Sequence, residues 1–253
     1  MTSRHLKLRR LGEGPALLCL NGLTQTTANW TSAGRALAEL GHGVLLTDLP
    51  GQAGTEPLPS GTPKEQAEVV WNWLGTLDVD RVDLCGFSYG GRVALQMAHA
   101  RPERVRKLVL TSTSLGAGTV AKLVVQSWLE AIDRGGLEAL GWAAMPWIIG
   151  DGLLRGVDPE QMVQATVRRN SIEGIRSLIQ GILDDQAPDL ESLMIETLVV
   201  AGGEDRFALA VEQQRNADRL PLGSFHSFDR LGHAVPVEDP KGFSKVVSRF
   251  LHQ

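Results

Sequence analysis

The sequence predicts an α/β fold: a mostly parallel central sheet flanked by helices, with an inserted helical lid. Three observations carry this. Short apolar runs alternate with helical patterns along most of the chain. One long stretch, 115–190, breaks the alternation and offers only helical candidates. A buried run ends abruptly in Gly86-Phe87-Ser88-Tyr89-Gly90, and a helical pattern starts at once.

The strand candidates are Ala16–Leu20, Gly43–Thr47, Val82–Phe87, Lys107–Thr111 and Thr197–Ala201, with Phe225–Phe228 as a weaker late one. They are short, rich in Val and Leu, and bounded by Gly, Asp or Ser, as strands covered on both faces are. Between them, Asn29–Leu40, Pro63–Leu77 and Tyr89–Ala100 show helical spacing. Thr62 is an N-cap, Pro63 fits the first helical position, and Arg101-Pro102 stops the third helix. Strand–helix alternation of this kind builds a parallel sheet with helices on both sides. The insertion reads as helices over Val120–Asp133, Leu137–Met145, Pro159–Asn170 and Ser171–Leu183. The expected organisation is one domain, 1–253, with a core of 1–114 and 191–253 and a lid of 115–190.

Composition narrows the function classes. Of 253 residues, 43% are hydrophobic and 21% charged, ordinary for a globular protein, and the formal net charge is −4. That balance argues against a nucleic-acid partner, which calls for a basic face. The one basic group, Arg4, Lys7, Arg9 and Arg10, reads as a solvated strand edge. No apolar run reaches membrane-spanning length and the first residues lack an apolar leader, so a cytoplasmic protein with no membrane partner is expected. Cys19 and Cys85 sit inside apolar runs as buried thiols, and no metal-ligand cluster is visible.

The chemistry centres on Ser88. A serine on a strand-to-helix turn takes a strained backbone and holds its hydroxyl up into a cleft, and side chains at Gly86 or Gly90 would collide with neighbouring backbone. Cys85, inside the strand, is the rival nucleophile. A serine hydroxyl needs a base, and a histidine base needs a carboxylate to hold its tautomer. Of six histidines, His233 stands out in Leu231-Gly232-His233-Ala234, a loop between the last strand and the C-terminal helix. Asp205 is the acid, following a strand that ends at Ala201 and a Gly-Gly turn, with Glu204 as its rival. Lys107–Thr111 is followed by no carboxylate until Glu130, which closes that alternative route. The backbone N–H groups of Leu23 and Tyr89 are assigned to an oxyanion hole, each worth on the order of 3 kcal/mol in the transition state.

The segments LLCLNGL, LLTDLPGQAGTEP, LCGFSYGG, LVVAGGEDRF and LGHAVPVEDP resemble the α/β-hydrolase fold family over the whole core. The order Ser, Asp, His is that family's. The chain departs from it at Asn21, where most members carry a histidine. The stretch NGLTQTTANW with DLPGQAG is also similar to bacterial hydroxyacyl transferases.

The resemblance implies a serine hydrolase that cleaves a carboxylic ester, thioester or lactone of a small apolar substrate through a Ser88 acyl-enzyme. No metal or organic cofactor is called for, and the oligomeric state stays open. Acyl transfer from a hydroxyacyl thioester, C–C bond hydrolysis and a triad-retaining ligand receptor are the alternatives. For C–C hydrolysis Arg168, Arg169 and Asn170 would be polar lid groups, although a charged outer helical face also accounts for them. Trp128, Trp142 and Trp147 with Met145, Leu153 and Met162 suggest an apolar entrance.

Overall fold

The computed structural model describes residues 6–115 and 118–253; Arg4 of the basic group lies outside them. Among these residues a seven-stranded sheet runs in the order β1-β3-β2-β4-β5-β6-β7. Its strands are β1 (Arg9–Leu11), β2 (Ala16–Leu20), β3 (Gly43–Leu46), β4 (Val82–Phe87), β5 (Val105–Thr111), β6 (Thr197–Gly202) and β7 (Gly223–Phe228). All neighbours pair in parallel except the edge strand β1, which runs antiparallel to β3. β1 was foreshadowed only by its charged residues, because three residues are too few to show a period.

Strand alternation sorts the apolar residues into two cores. Leu18, Leu20, Leu84, Leu108 and Leu110 face α2 (Pro63–Gly75) and α3 (Tyr89–Ala100), with Val70, Trp71, Leu74 and Val93 fully or almost fully buried there. Leu17, Cys19, Cys85 and Val109 face the other way, onto α1 (Thr31–Glu39) and α10 (Pro240–Leu251). Each of these buried Leu and Val side chains contributes about 1.5–3 kcal/mol of burial. Cys19 and Cys85 are free, buried and paired in register across β2 and β4. Thr62 caps α2 by accepting a bond from the Glu65 N–H.

The chain leaves β2 for β3, then crosses back over β2 to β4. Strand order therefore reverses between β3 and β4, and the loops after β2 and β4 diverge there. A crevice of this kind collects functional groups in open parallel sheets. Between β5 and β6 the chain makes its helical excursion: α4 (Thr119–Ile148), α5 (Asp151–Leu154), α6 (Pro159–Arg169) and α7 (Ile172–Asp184). Helix α4 is broken at Gly135 and Gly136, whose backbone is non-helical, which accounts for the two separate patterns in the sequence. α8 (Ala210–Arg219) and α9 (Val235–Glu238) complete the fold. Among the described residues no helix is long and apolar enough to cross a membrane.

Candidate active site

Ser88 sits between β4 and α3 with φ 52° and ψ −112°, a left-handed conformation that costs a non-glycine residue on the order of 1–3 kcal/mol. Its own N–H donates to the Thr111 carbonyl at 2.9 Å, which ties the turn to β5. The glycines on either side leave no choice of residue. A Cβ on Gly86 would lie 2.4 Å from the Gly90 carbonyl oxygen, and one on Gly90 would lie 2.4 Å from that of Leu20. Only bare backbone lets the helix start this close to the sheet.

The loops after β6 and β7 bring the other two groups to Ser88. The His233 Nε2 is 2.9 Å from Ser88 Oγ, and its Nδ1 is 2.8 Å from Asp205 Oδ2. Asp205 and His233 are both buried at 3% exposure. The second carboxylate oxygen, Asp205 Oδ1, accepts the N–H groups of Phe207 and Ala208 at 2.9 and 2.8 Å. Glu204 does not reach the imidazole: its N–H donates to the Leu231 carbonyl, and one of its carboxylate oxygens is buried without a partner among the described residues. The ring of His233 lies between Phe87 and Phe207, at centroid distances of 5.1 and 5.6 Å. This chain of hydrogen bonds can move a proton off the serine hydroxyl and hold the resulting imidazolium beside a carboxylate.

Asn21 occupies a polar knot under the loop that follows β2. Its Nδ2 faces the Thr47 carbonyl, Asp48 Oδ1 and Gln52 Oε1 at 3.3, 3.0 and 3.1 Å. Asp48 in turn accepts the Thr27 N–H at 2.7 Å. Leu23, Ser88 and Tyr89 line one cavity together. The Tyr89 phenol points away, donating to the Gly61 carbonyl, and burial pushes its pKa well up.

Two cavities meet at Ser88 and Leu23. The larger, about 280 Å³, is lined mainly by apolar groups of the insertion, including Met145, Ile149, Leu153, Met162 and Val163, and it reaches His233. The smaller, about 80 Å³, touches Tyr89, Arg92, Lys122 and Asp185. Of the three insertion tryptophans, Trp128 lines both of these cavities, and Trp142 and Trp147 line neither. Trp142 is exposed and Trp147 half-buried, so aromatic content overstated their part.

Asn170 and Arg169 likewise depart from a plain outer helical face. Arg169 lines the larger cavity, and the Asn170 amide bridges two core loops. Gln52 and Glu238 are not legible as site residues, Gln52 because its partner Gly22 lies 30 residues away and Glu238 because nothing in the sequence marks its bonds to the Gly232 and Ala234 amides, whereas Asn170 is legible only as a polar lid group. Among the described residues no three His, Cys, Asp or Glu side chains gather as a metal-ligand set.

The family model for the α/β hydrolase fold matches residues 15–142. A Bacillus subtilis (strain 168) protein carrying the provisional name 2-succinyl-6-hydroxy-2,4-cyclohexadiene-1-carboxylate synthase is 30% identical, covering 94% of this chain and 92% of its own. A poly(3-hydroxyalkanoate) depolymerase of Ectopseudomonas oleovorans is 30% identical over 83% of this chain and 75% of its own. A 2-hydroxymuconate semialdehyde hydrolase of Pseudomonas putida is 28% identical over 95% and 88%. The chain belongs to the α/β hydrolase fold family.

Proposed function

We propose that this protein is a serine hydrolase that cleaves a carboxylic ester, thioester or lactone of a small apolar substrate. The observation that carries this is the hydrogen-bonded chain Asp205–His233–Ser88, at 2.8 and 2.9 Å, opening onto the apolar 280 Å³ cavity. Ser88 Oγ attacks the carbonyl carbon and its proton passes to His233 Nε2. The N–H groups of Leu23 and Tyr89 hold the oxyanion. His233 returns the proton to the leaving group, and water repeats the sequence to release the acid. The cavity's apolar lining suits an acyl or aromatic group. The polyester named for the Ectopseudomonas relative is consistent with ester chemistry on this scaffold.

The test is p-nitrophenyl ester hydrolysis from acetate to dodecanoate, native protein beside Ser88→Ala. Sustained turnover lost in the variant supports the reading. Undiminished turnover overturns it, and a Ser88-dependent burst without turnover moves it to transfer onto another acceptor.

A second reading, hydrolysis of an activated C–C bond, is favoured by Arg169, a cation without a side-chain partner among the described residues, on the wall of the apolar cavity. It would pair with a substrate carboxylate. Turnover of 2-hydroxymuconate semialdehyde that falls in Arg169→Leu, with p-nitrophenyl ester turnover unchanged, would support this second reading.

A further inference from the structure

Side-chain amides reach three consecutive carbonyls after β2, and that of Gly22 also accepts the Gln25 N–H at 3.1 Å. Gln52 Nε2 donates to the Gly22 carbonyl at 2.7 Å and lies 3.4 Å from that of Leu23, while Asn170 Nδ2 donates to that of Thr24 at 3.0 Å. The first of these bonds has a geometric consequence. Gly22 C=O and Leu23 N–H belong to one planar trans peptide, so they point in opposite directions. Holding the carbonyl on the Gln52 side turns the Leu23 N–H to the other side. Leu23 borders both cavities next to Ser88, and its N–H donates to no protein acceptor among the described residues.

We propose that Gln52 is the positioning residue of the oxyanion hole: by gripping the Gly22 carbonyl it aims the Leu23 N–H at the carbonyl oxygen of a substrate on Ser88. Gln52 touches no reacting atom and acts only through this peptide. The inference rests on the reading of Ser88 as nucleophile and of the Leu23 amide as an oxyanion donor.

The amide of Gln52 has one available orientation. Its Oε1 faces the Leu49 N–H at 3.1 Å and Asn21 Nδ2 at 3.1 Å, and a backbone N–H can only donate. The nitrogen end is thereby committed to Gly22. Asn21 is fixed the same way, its Nδ2 facing the acceptors Thr47 O and Asp48 Oδ1. Both side chains are fully buried, and the Asn21 Oδ1 has no partner among the described residues. The loop cannot sink away from this grip. A Cβ on Gly22 would lie 2.6 Å from the Phe87 ring, so the peptide is seated on the strand that carries Ser88. This pairing is what stands in the chain alongside the departure at Asn21: two amides hold the loop, and neither changes charge with pH near neutrality.

The experiment compares native protein, Gln52→Glu, Gln52→Met and Ser88→Ala on a p-nitrophenyl ester, and measures inhibition by an aryl trifluoromethyl ketone. That ketone takes the Ser88 Oγ at its carbonyl carbon, passes the serine proton to His233 and leaves an oxyanion in the hole. Gln52→Glu keeps the shape but sets a carboxylate oxygen against the Gly22 carbonyl. Gln52→Met, of the same length and uncharged, serves if the glutamate does not fold. The expected result is a kcat lower by about 10- to 100-fold with KM within about threefold. Ketone affinity should fall by the same factor as kcat. A folded variant with native kcat and ketone affinity overturns the proposal. So does a kcat loss without loss of ketone affinity, or a rise in KM alone. Full turnover in Ser88→Ala fells the parent reading instead, whereas a dead Ser88→Ala beside unaffected Gln52 variants fells this inference only.

Discussion

Glu238 brackets His233. The N–H of Gly232 donates to Glu238 Oε2 at 2.9 Å and the N–H of Ala234 donates to Oε1 at 3.2 Å, so one carboxylate holds the peptides on both sides of the imidazole. The insertion covers this clamp, since a Cβ on Gly150 would lie 2.6 Å from Glu238 Oε2 and 2.7 Å from the Gly232 nitrogen. Glu238→Gln replaces one acceptor with a donor that faces an N–H. The expected outcome is a kcat reduced by about 10- to 100-fold with KM little changed, the size that a small misplacement of a reacting group brings. Steady-state kinetics on the best p-nitrophenyl ester check it, and a native kcat would show that the His233 loop holds itself.

The two acids after β6 make a sharper pair. Asp205 has both oxygens committed, one to His233 and one to the Phe207 and Ala208 amides, whereas Glu204 bonds neither. Asp205→Asn should keep the loop but favour the wrong imidazole tautomer, lowering kcat by about 10⁴-fold. Glu204→Gln should leave kcat within about threefold, as substitutions outside the hydrogen-bonded chain do. Equal losses in both variants would mean that Glu204 contributes to orienting His233.

What could be read from the sequence follows the range of the interactions. The turn at Ser88 is local: strand, two glycines and helix start lie within a few residues, and steric demands on Gly86 and Gly90 come from the adjoining backbone. Asp205 and His233 stand out as candidates because each follows a strand in a turn. Gln52, Glu238 and Asn170 had no such signal. Gln52 reads only as part of a loop in PGQAG, and its partner Gly22 is 30 residues away. Asn170 reads as a helix end, yet it reaches Thr24, 146 residues away. Such pairs exist only after the sheet has set its strand order.

Asn170 joins the insertion to both loops beside the serine. Its Nδ2 donates to the Thr24 carbonyl at 3.0 Å and its Oδ1 accepts the Ala53 N–H at 3.2 Å. Arg206 makes a second tie, from the loop of Asp205 to the Pro146 carbonyl and to Asp151. The Arg206 tie is exposed and worth little, while the Asn170 bonds are part-buried. Asn170→Ala should loosen the insertion and the loop together. We expect kcat lower by about tenfold and faster proteolytic cleavage within 119–184, with Arg206→Ala near native in both. Native cleavage and kcat in Asn170→Ala would place the coupling elsewhere.

His42 is buried at 1% exposure, stacked on His252 at 4.8 Å, with Nε2 2.9 Å from Ser248 Oγ and Nδ1 buried without a partner among the described residues. Burial lowers its pKa below 6.5; His252 and Arg106 act in the same direction and Asp83 opposes them. The unfolded chain therefore binds the His42 proton first as pH falls. Stability from the neutral imidazole is fully present above about pH 6.5 and is lost as pH falls from there toward the folded pKa. Native protein should lose more stability between pH 7.5 and 5.0 than His42→Gln, which keeps an amide near Ser248 but takes up no proton. Chemical denaturation at the two pH values reads this directly. An equal loss in both proteins would assign the acid sensitivity to His99 or His226, which burial also lowers.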